Sequence, residues 1–452
     1  MIRYITLICC TLMLFCGGCE SSETQTKSVT VDTATAPAAT TTATTESATE
    51  VSPSAPASIL LQNPITLQRY EVPSEALLQW YAVRDLRPAL VLYSNDPLLL
   101  STQTLKPKEL LARLAEQDQK ALRANTANPL ITSKMTLDAA LKAGFFSAVY
   151  WIMPTPGDIE ELSAEIFRSQ MLQSNTLSTE EAHSLTLRNG IFSGTVRGVP
   201  FHAVHPQADV KLSGPAVLHF DLSYLSALYK GEIKTPIFSL VYQTLKHLRD
   251  QQIETVSASF SYSQIIREVA LGSRFLGDVF EQLFAQPQRL DVNMPVAWTQ
   301  RANALYLPNM MMYDEARKLL LQMADAQPDD ASLHYALYMV SRETNANRSV
   351  ALRHLADAVQ RDPVYAYEYL SLAPVAREKG FPDEALRVLS LANQANPDNP
   401  FISLALARDL IAAGKTDTAV PLVENLLALN WSKDYFPNMP SFLEQLLAEA
   451  NN

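Results

Sequence analysis

Apolar residues are spaced in four different ways along the chain. From Ile5 to Cys16 they form one unbroken run, ITLICCTLMLFC. From about residue 20 to 58 they give way to Thr, Ala, Ser and Pro with no period, a composition too poor in apolar surface to offset the entropy of ordering. Between 59 and 290 short apolar bursts alternate with amphipathic stretches. Ala89–Tyr93, Ala148–Met153, Pro200–Val204, Ala216–Leu222 and Ile253–Phe260 read as buried strands, and Ile237, Leu240, Val241, Leu245 and Leu248 share one face of a helix. Strands separated by such helices predict an α/β domain with a parallel sheet covered on both faces.

Beyond residue 297 the period lengthens. Ala316, Ala351, Ala385 and Ala419 are separated by 35, 34 and 34 residues, and Pro328, Pro363 and Pro397 recur in the same register, with Trp431 in the next slot. The third unit is the fullest. It has Tyr369, Leu372 and Ala373, then the turn Gly380-Phe381-Pro382, then Ala385, Leu389 and Ala392. The second unit keeps Tyr335, Ala351, Leu355 and Ala358, the fourth Leu406, Ala407, Gly414 and Ala419. The first keeps Ala304, Ala316 and Leu320, with Asn303 where Leu is expected. These positions and this period resemble tetratricopeptide (TPR) repeats, at about 297–330, 332–365, 366–399 and 400–433. A helix at 437–450, apolar at Phe442, Leu443, Leu446 and Leu447, would cap the array. The resemblance implies an all-α solenoid whose concave groove receives a peptide or helix of another envelope protein. Packing of the array on the neighbouring domain, as a scaffold, is the alternative.

Composition narrows the classes. The 452-residue chain is 47% hydrophobic and 18% charged, with net charge −11, so it is globular and offers no basic tract to a nucleic acid. All four cysteines, Cys9, Cys10, Cys16 and Cys19, lie in the first nineteen residues, which leaves none for a disulfide, a Cys-ligated zinc or a thiol nucleophile further on. The 12-residue apolar run reaches roughly 18 Å as a helix against ~30 Å of bilayer hydrocarbon, the proportions of a signal-peptide core. With Gly17-Gly18-Cys19 behind it, the segment resembles a bacterial lipoprotein signal, although Cys16 stands where Leu is usual. The resemblance implies removal of residues 1–18 and lipidation of Cys19 by diacylglycerol and a palmitate-type chain, since one acyl chain anchors only marginally. Glu20, in place of the Asp that retains such proteins at the inner membrane, implies the outer membrane, periplasmic side. Residues 19–58 would then be a flexible tether of roughly 35 Å reach. An ordinary cleaved signal, giving a soluble exported protein, is the alternative.

In the α/β part, AALKAGFFSAVYWIMP (139–154), AVLHFDLSYLS (216–226) and TVSASFSYSQ (255–264) resemble an arginase-like family, the ureohydrolase and deacetylase fold. That resemblance implies a three-layer α/β domain over 59–290 with a divalent-metal site at the strand ends. The family's D-x-D pair becomes Asp221 and Ser223 here. Its D-x-H-x-D keeps only Asp96, with Leu92 and Ser94 in the other slots. Loss of these charged donors leaves Asp96, His219, Asp221 and Ser223 as a vestigial metal or ligand site, with no catalytic residue and no cofactor expected. Two readings nevertheless keep a metal. One is a hydrolase of C–N bonds inherited with the fold. The other is a zinc or manganese site built from His202, His205, Asp209, His219 and Asp221 on adjacent strands.

Sheets of this kind collect ligands at strand ends, here Ser94 to Asp96, Thr155 to Asp158, Asp221 to Tyr224 and Ser259 to Tyr262. Ser257, Ser259, Ser261 and Ser263 alternate as a polar strand end and not as nucleophiles. No phosphate-binding loop, nucleophile elbow or H-E-x-x-H pair occurs. The expectation is a non-catalytic adaptor or scaffold of the cell envelope. Cys19→Ala is expected to move the protein from the membrane fraction to the soluble one, and unchanged sedimentation with membranes would contradict lipidation.

Overall fold

The computed structural model describes residues 58–123, 125–155, 163–229, 236–262, 271–344 and 348–451. Cys19, the signal segment, the tether up to residue 57, Pro156 to Asp158 and Ser263 lie outside the described residues. Nine strands make one sheet: β1 (Ser58–Ile59), β2 (Leu67–Tyr70), β3 (Ala89–Tyr93), β4 (Ala148–Ile152), β5 (Thr186–Arg188), β6 (Ile191–Val196), β7 (Val199–Val204), β8 (Ala216–Asp221) and β9 (Glu254–Ser261). Six of them run parallel in the order β2, β9, β8, β3, β4, β7.

The parallel expectation fails at the edges. β6 and β5 continue antiparallel from β7, and β1 pairs antiparallel with β9. The reversals are local chemistry. Asn189-Gly190 and Arg197-Gly198 each take two successive positive φ angles between paired strands, the geometry of two-residue hairpins whose twist matches the sheet.

The central strands β3 and β8 are buried at every residue, because both faces of the sheet are covered. Side chains alternate between two cores. Leu90, Leu92, Trp151 and Phe201 face one, where α1 (Leu77–Ala82), α2 (Pro107–Ala115), α3 (Thr136–Lys142), α4 (Ala164–Gln173) and α5 (Thr179–Ser184) contribute Trp80, Leu114, Leu141, Phe167 and Ala182. Val91, Tyr93, Phe220 and Phe260 face the other, against α6 (Leu222–Leu228), α7 (Ile237–Asp250) and α8 (Phe275–Ala285). The result is three layers.

A region of helices follows: α9 (Val296–Tyr306), α10 (Tyr313–Ala326), α11 (Ala331–Glu343), α12 (Arg348–Arg361), α13 (Tyr367–Glu378), α14 (Pro382–Ala395), α15 (Pro400–Ala412), α16 (Thr416–Leu427) and α17 (Met439–Asn451), each packed on the next except α12 and α13, which both pack on the short turn Pro363–Ala366 between them. Ala316, Ala351, Ala385 and Ala419 are each the fourth residue of α10, α12, α14 and α16, and all four are buried. Pro328, Pro363 and Pro397 each stand two residues past a helix end. The sequence period is therefore a helix-pair period, set by small residues where helices touch and by prolines that cannot continue them. Gly380 and Gly414 end α13 and α15 at φ of +76° and +69°, a conformation an L side chain strains to adopt. Leu443 and Leu446 of α17 close the array over Ala407, Val423 and Trp431.

The array does not stand free. Trp298, Ala302 and Leu305 of α9 pack into the core beneath α7 and α8, while Leu271 inserts among Tyr335, Tyr338 and Tyr365. Further along, Asn125 donates to the Tyr367 hydroxyl at 3.0 Å, Ser432 N–H to the Ala127 carbonyl at 3.0 Å, and Tyr435 to the Leu130 carbonyl at 3.2 Å. The array thus packs against the α/β domain. Among the described residues, no helix is long and apolar enough to cross a membrane.

Candidate functional site

The four expected residues lie at the ends of β3 and β8, but their polar atoms are taken up locally, and only Asp221 and Ser223 bond each other directly. His219 is fully buried beneath Trp80, whose ring meets it edge-on with centroids 5.5 Å apart. Its Nδ1 lies 2.8 Å from Ser259 Oγ and its Nε2 3.1 Å from Ser261 Oγ. Ser261 also donates to Asp221 Oδ2 at 2.6 Å, so its own proton is committed. His219 Nε2 must then be the protonated nitrogen and Nδ1 the acceptor for Ser259. Burial pushes the imidazole down to about 3, which fixes it neutral at ordinary pH.

Asp221 caps α6 through the Ser223 N–H at 3.1 Å and takes a short bond from the Ser223 hydroxyl. Ser223 Oγ also receives the Asn95 N–H at 3.2 Å, stitching the end of β3 to that of β8. Asp96 turns back on its own loop. It accepts from Leu98 N–H at 2.7 Å and lies 4.0 Å from Lys134, while burial raises its affinity for a proton. Ligand atoms of Asp96, His219 and Asp221 do not converge within 4.8 Å. Ser259 is hydrogen-bonded to a histidine, as a nucleophile would be, yet at 0% exposure no substrate reaches it. The cluster is a polar weld between strands.

The alternative His202 site is corrected by topology. β7, which carries His202, is separated from β8 by β4 and β3, three strand spacings or about 14 Å. His202 instead stacks on Tyr150 and bonds Ser193, and His205 accepts from Gln207 N–H.

The open site lies elsewhere. A cleft of about 930 Å³ separates α8 and the β2–β9 edge from α9 to α12. Its charges are mostly paired. Arg69 bridges Asp278 and Glu281, and Arg274 grips Glu71 with two bonds of 2.8 Å. The Tyr262 ring reaches into the wall because Gly277 has no side chain; a Cβ there would meet its hydroxyl at 2.1 Å.

Arg301 is the exception. It is 4% exposed and donates Nη2 to the Ser332 carbonyl at 3.0 Å, but its buried Nε and Nη1 have no partner among the described residues. Burial lowers its proton affinity, with Asp330 and Tyr365 opposing the shift. A buried guanidinium with two unused donors is costly by a few kcal/mol, and an acceptor entering the cleft would recover much of that. Sequence reasoning gave no sign of it, since an arginine in a helix reads as solvated.

No protein-family model matches the chain, and the curated proteins searched contain no match.

His219 makes a checkable signature. The unfolded ring takes a proton near pH 6.5, whereas the folded ring resists until about pH 3, so stability is complete above 6.5 and falls as pH drops through that window. Its share of the slope is up to ~1.4 kcal/mol per pH unit. Denaturant titrations from pH 7 to 4 should show a shallower decline for His219→Gln than for the native chain, and equal slopes would contradict the assignment.

Proposed function

We propose that the protein is a lipid-anchored adaptor of the cell envelope. Cys19 would carry the lipid at the outer membrane, with the folded part on the periplasmic side. The body is read as an arginase-like α/β domain whose metal positions have been replaced, and the helical region as a TPR-type array closed against it. Its partner is another envelope protein, held in the cleft between the two through a carboxylate or a backbone carbonyl that meets Arg301.

The unpaired, buried Arg301 donors carry this reading. They sit in the wall of a cleft of about 930 Å³, while His219, Ser261 and Asp221 at the strand ends, where an inherited hydrolase would act, are bonded in a chain to one another. The 34-residue helix period and the apolar leader before Cys19 support it from the sequence side.

The test is photo-crosslinking in cells from a probe placed at Gln327, an exposed residue lining the cleft, in native and Arg301→Met chains. Met nearly matches Arg in bulk and removes a poorly satisfied buried charge, so stability should hold or rise. The expected result is a discrete adduct with one envelope protein, weakened at least ~10-fold by Arg301→Met, the worth of one charge-assisted hydrogen bond. No adduct, or one indifferent to the substitution, would end the proposal.

A further inference from the structure

The second helical pair holds a cluster that nothing above uses. His354 and Asp357 lie three residues apart on α12, hence on one face, and His334 approaches from α11, which packs against it. A ring nitrogen from each histidine and a carboxylate oxygen of Asp357 all lie within 4.8 Å of one another. All three side chains are half-buried.

The hydrogen bonding around them is unusual. His334 Nε2 lies 2.9 Å from the Pro328 carbonyl, which accepts only, so Nε2 carries the proton and Nδ1 keeps a free lone pair. That Nδ1 is buried and has no partner among the described residues, and the same holds for His354 Nδ1. Buried ring nitrogens without a partner are rare in folded proteins and call for an unseen partner, water or ion. An imidazole whose outer N–H is fixed by a backbone carbonyl, with its inner nitrogen bare, is the arrangement metal-ligating histidines adopt. The carbonyl belongs to the proline turn that ends α10 and leads into α11, so the repeat architecture itself orients the ring.

We infer that His334, His354 and Asp357 form a site for one divalent transition-metal ion of the zinc type, joining α11 to α12. Two imidazoles and one carboxylate match the ligand preference of zinc and leave a fourth position open. Tetrahedral bonds of about 2.1 Å place ligand atoms about 3.4 Å apart, a closure that side-chain rotation supplies from the present spacing. A hard ion such as magnesium or calcium would want more oxygen than the site has.

Arg317 of α10 lies close enough for its charge to act on His354, and its buried Nε is likewise without a partner. It opposes a bare cation. An anionic fourth ligand would offset that repulsion.

The test uses the full-length chain in detergent, stripped with a chelator and titrated with Zn²⁺ and with Co²⁺ as a spectroscopic substitute. The expected result is one equivalent bound, a melting temperature raised on saturation, and strong visible absorption from four-coordinate Co²⁺. His354→Ala and Asp357→Asn should each weaken binding at least ~10-fold, while His219→Gln leaves it unchanged. Binding that survives both ligand substitutions overturns the assignment, because the metal is then held elsewhere. Should a variant fail to fold, the native chain decides alone: absent or faint Co²⁺ absorption overturns the site.

Discussion

A buried guanidinium ties together the two halves of this molecule at the cleft, beside the apolar and backbone contacts further along. Arg274, at the start of α8, is 8% exposed, binds both oxygens of Glu71 just past β2, and reaches Asp362 of the array at 3.5 Å. Its charged face lies 4.0 Å over the Tyr262 ring at the end of β9. Burial opposes the charge, and Glu71 with Asp362 more than restores it, so the arginine stays ionised. Asp362 in turn caps the 3-10 turn at Pro363–Ala366, the hinge between the second and third helix pairs. Sheet edge and array register are thereby fixed to each other, and the cleft between them is a formed feature of the fold.

That coupling changes where function sits. In a doubly covered parallel sheet the strand ends are the expected site, and here the ends of β3, β8 and β9 do carry Asp96, His219, Asp221 and Ser261. Yet the described polar atoms of His219 are paired inward, and a site that binds a ligand needs some groups left over. Buried atoms without a partner among the described residues occur on both sides, Thr155 Oγ1 and Tyr224 Oη at the strand ends included, but the basic ones are Arg301 in the cleft and Arg317, His334 and His354 on the array. Both are places where burial is not matched by bonding, and such mismatches are what evolution tolerates when a ligand completes them.

How much of this was legible depended on whether the signal was local. β3 is recoverable to the residue because a strand buried on both faces is an uninterrupted apolar run, and the array is recoverable because helix contact selects alanine at a fixed position. The β5–β6 hairpin went unread: Asn189-Gly190 is a strong hairpin dipeptide, but the weakly apolar TLR and IFSGTV around it hid the strands. β1 and β2, two and four residues long, carry no pattern at all. The supposed neighbourhood of His202 and His219 failed for a topological reason. Strands successive in sequence here lie three places apart in the sheet, and only the crossovers decide that. Arg301, His334 and His354 were invisible because their meaning lies in which atoms lack partners, a property of packing and not of spacing.

Hydrogen–deuterium exchange on Arg274→Ala, compared with the native chain, addresses the coupling directly. Breaking a buried ion pair of this kind costs on the order of 3 kcal/mol, or about a 100-fold loss of protection. The account predicts that loss on both sides of the cleft, at β2 and β9 and at Pro363–Ala366 with α11. Faster exchange confined to α8, with the array as protected as before, would contradict the claim that Arg274 couples the two sides of the cleft.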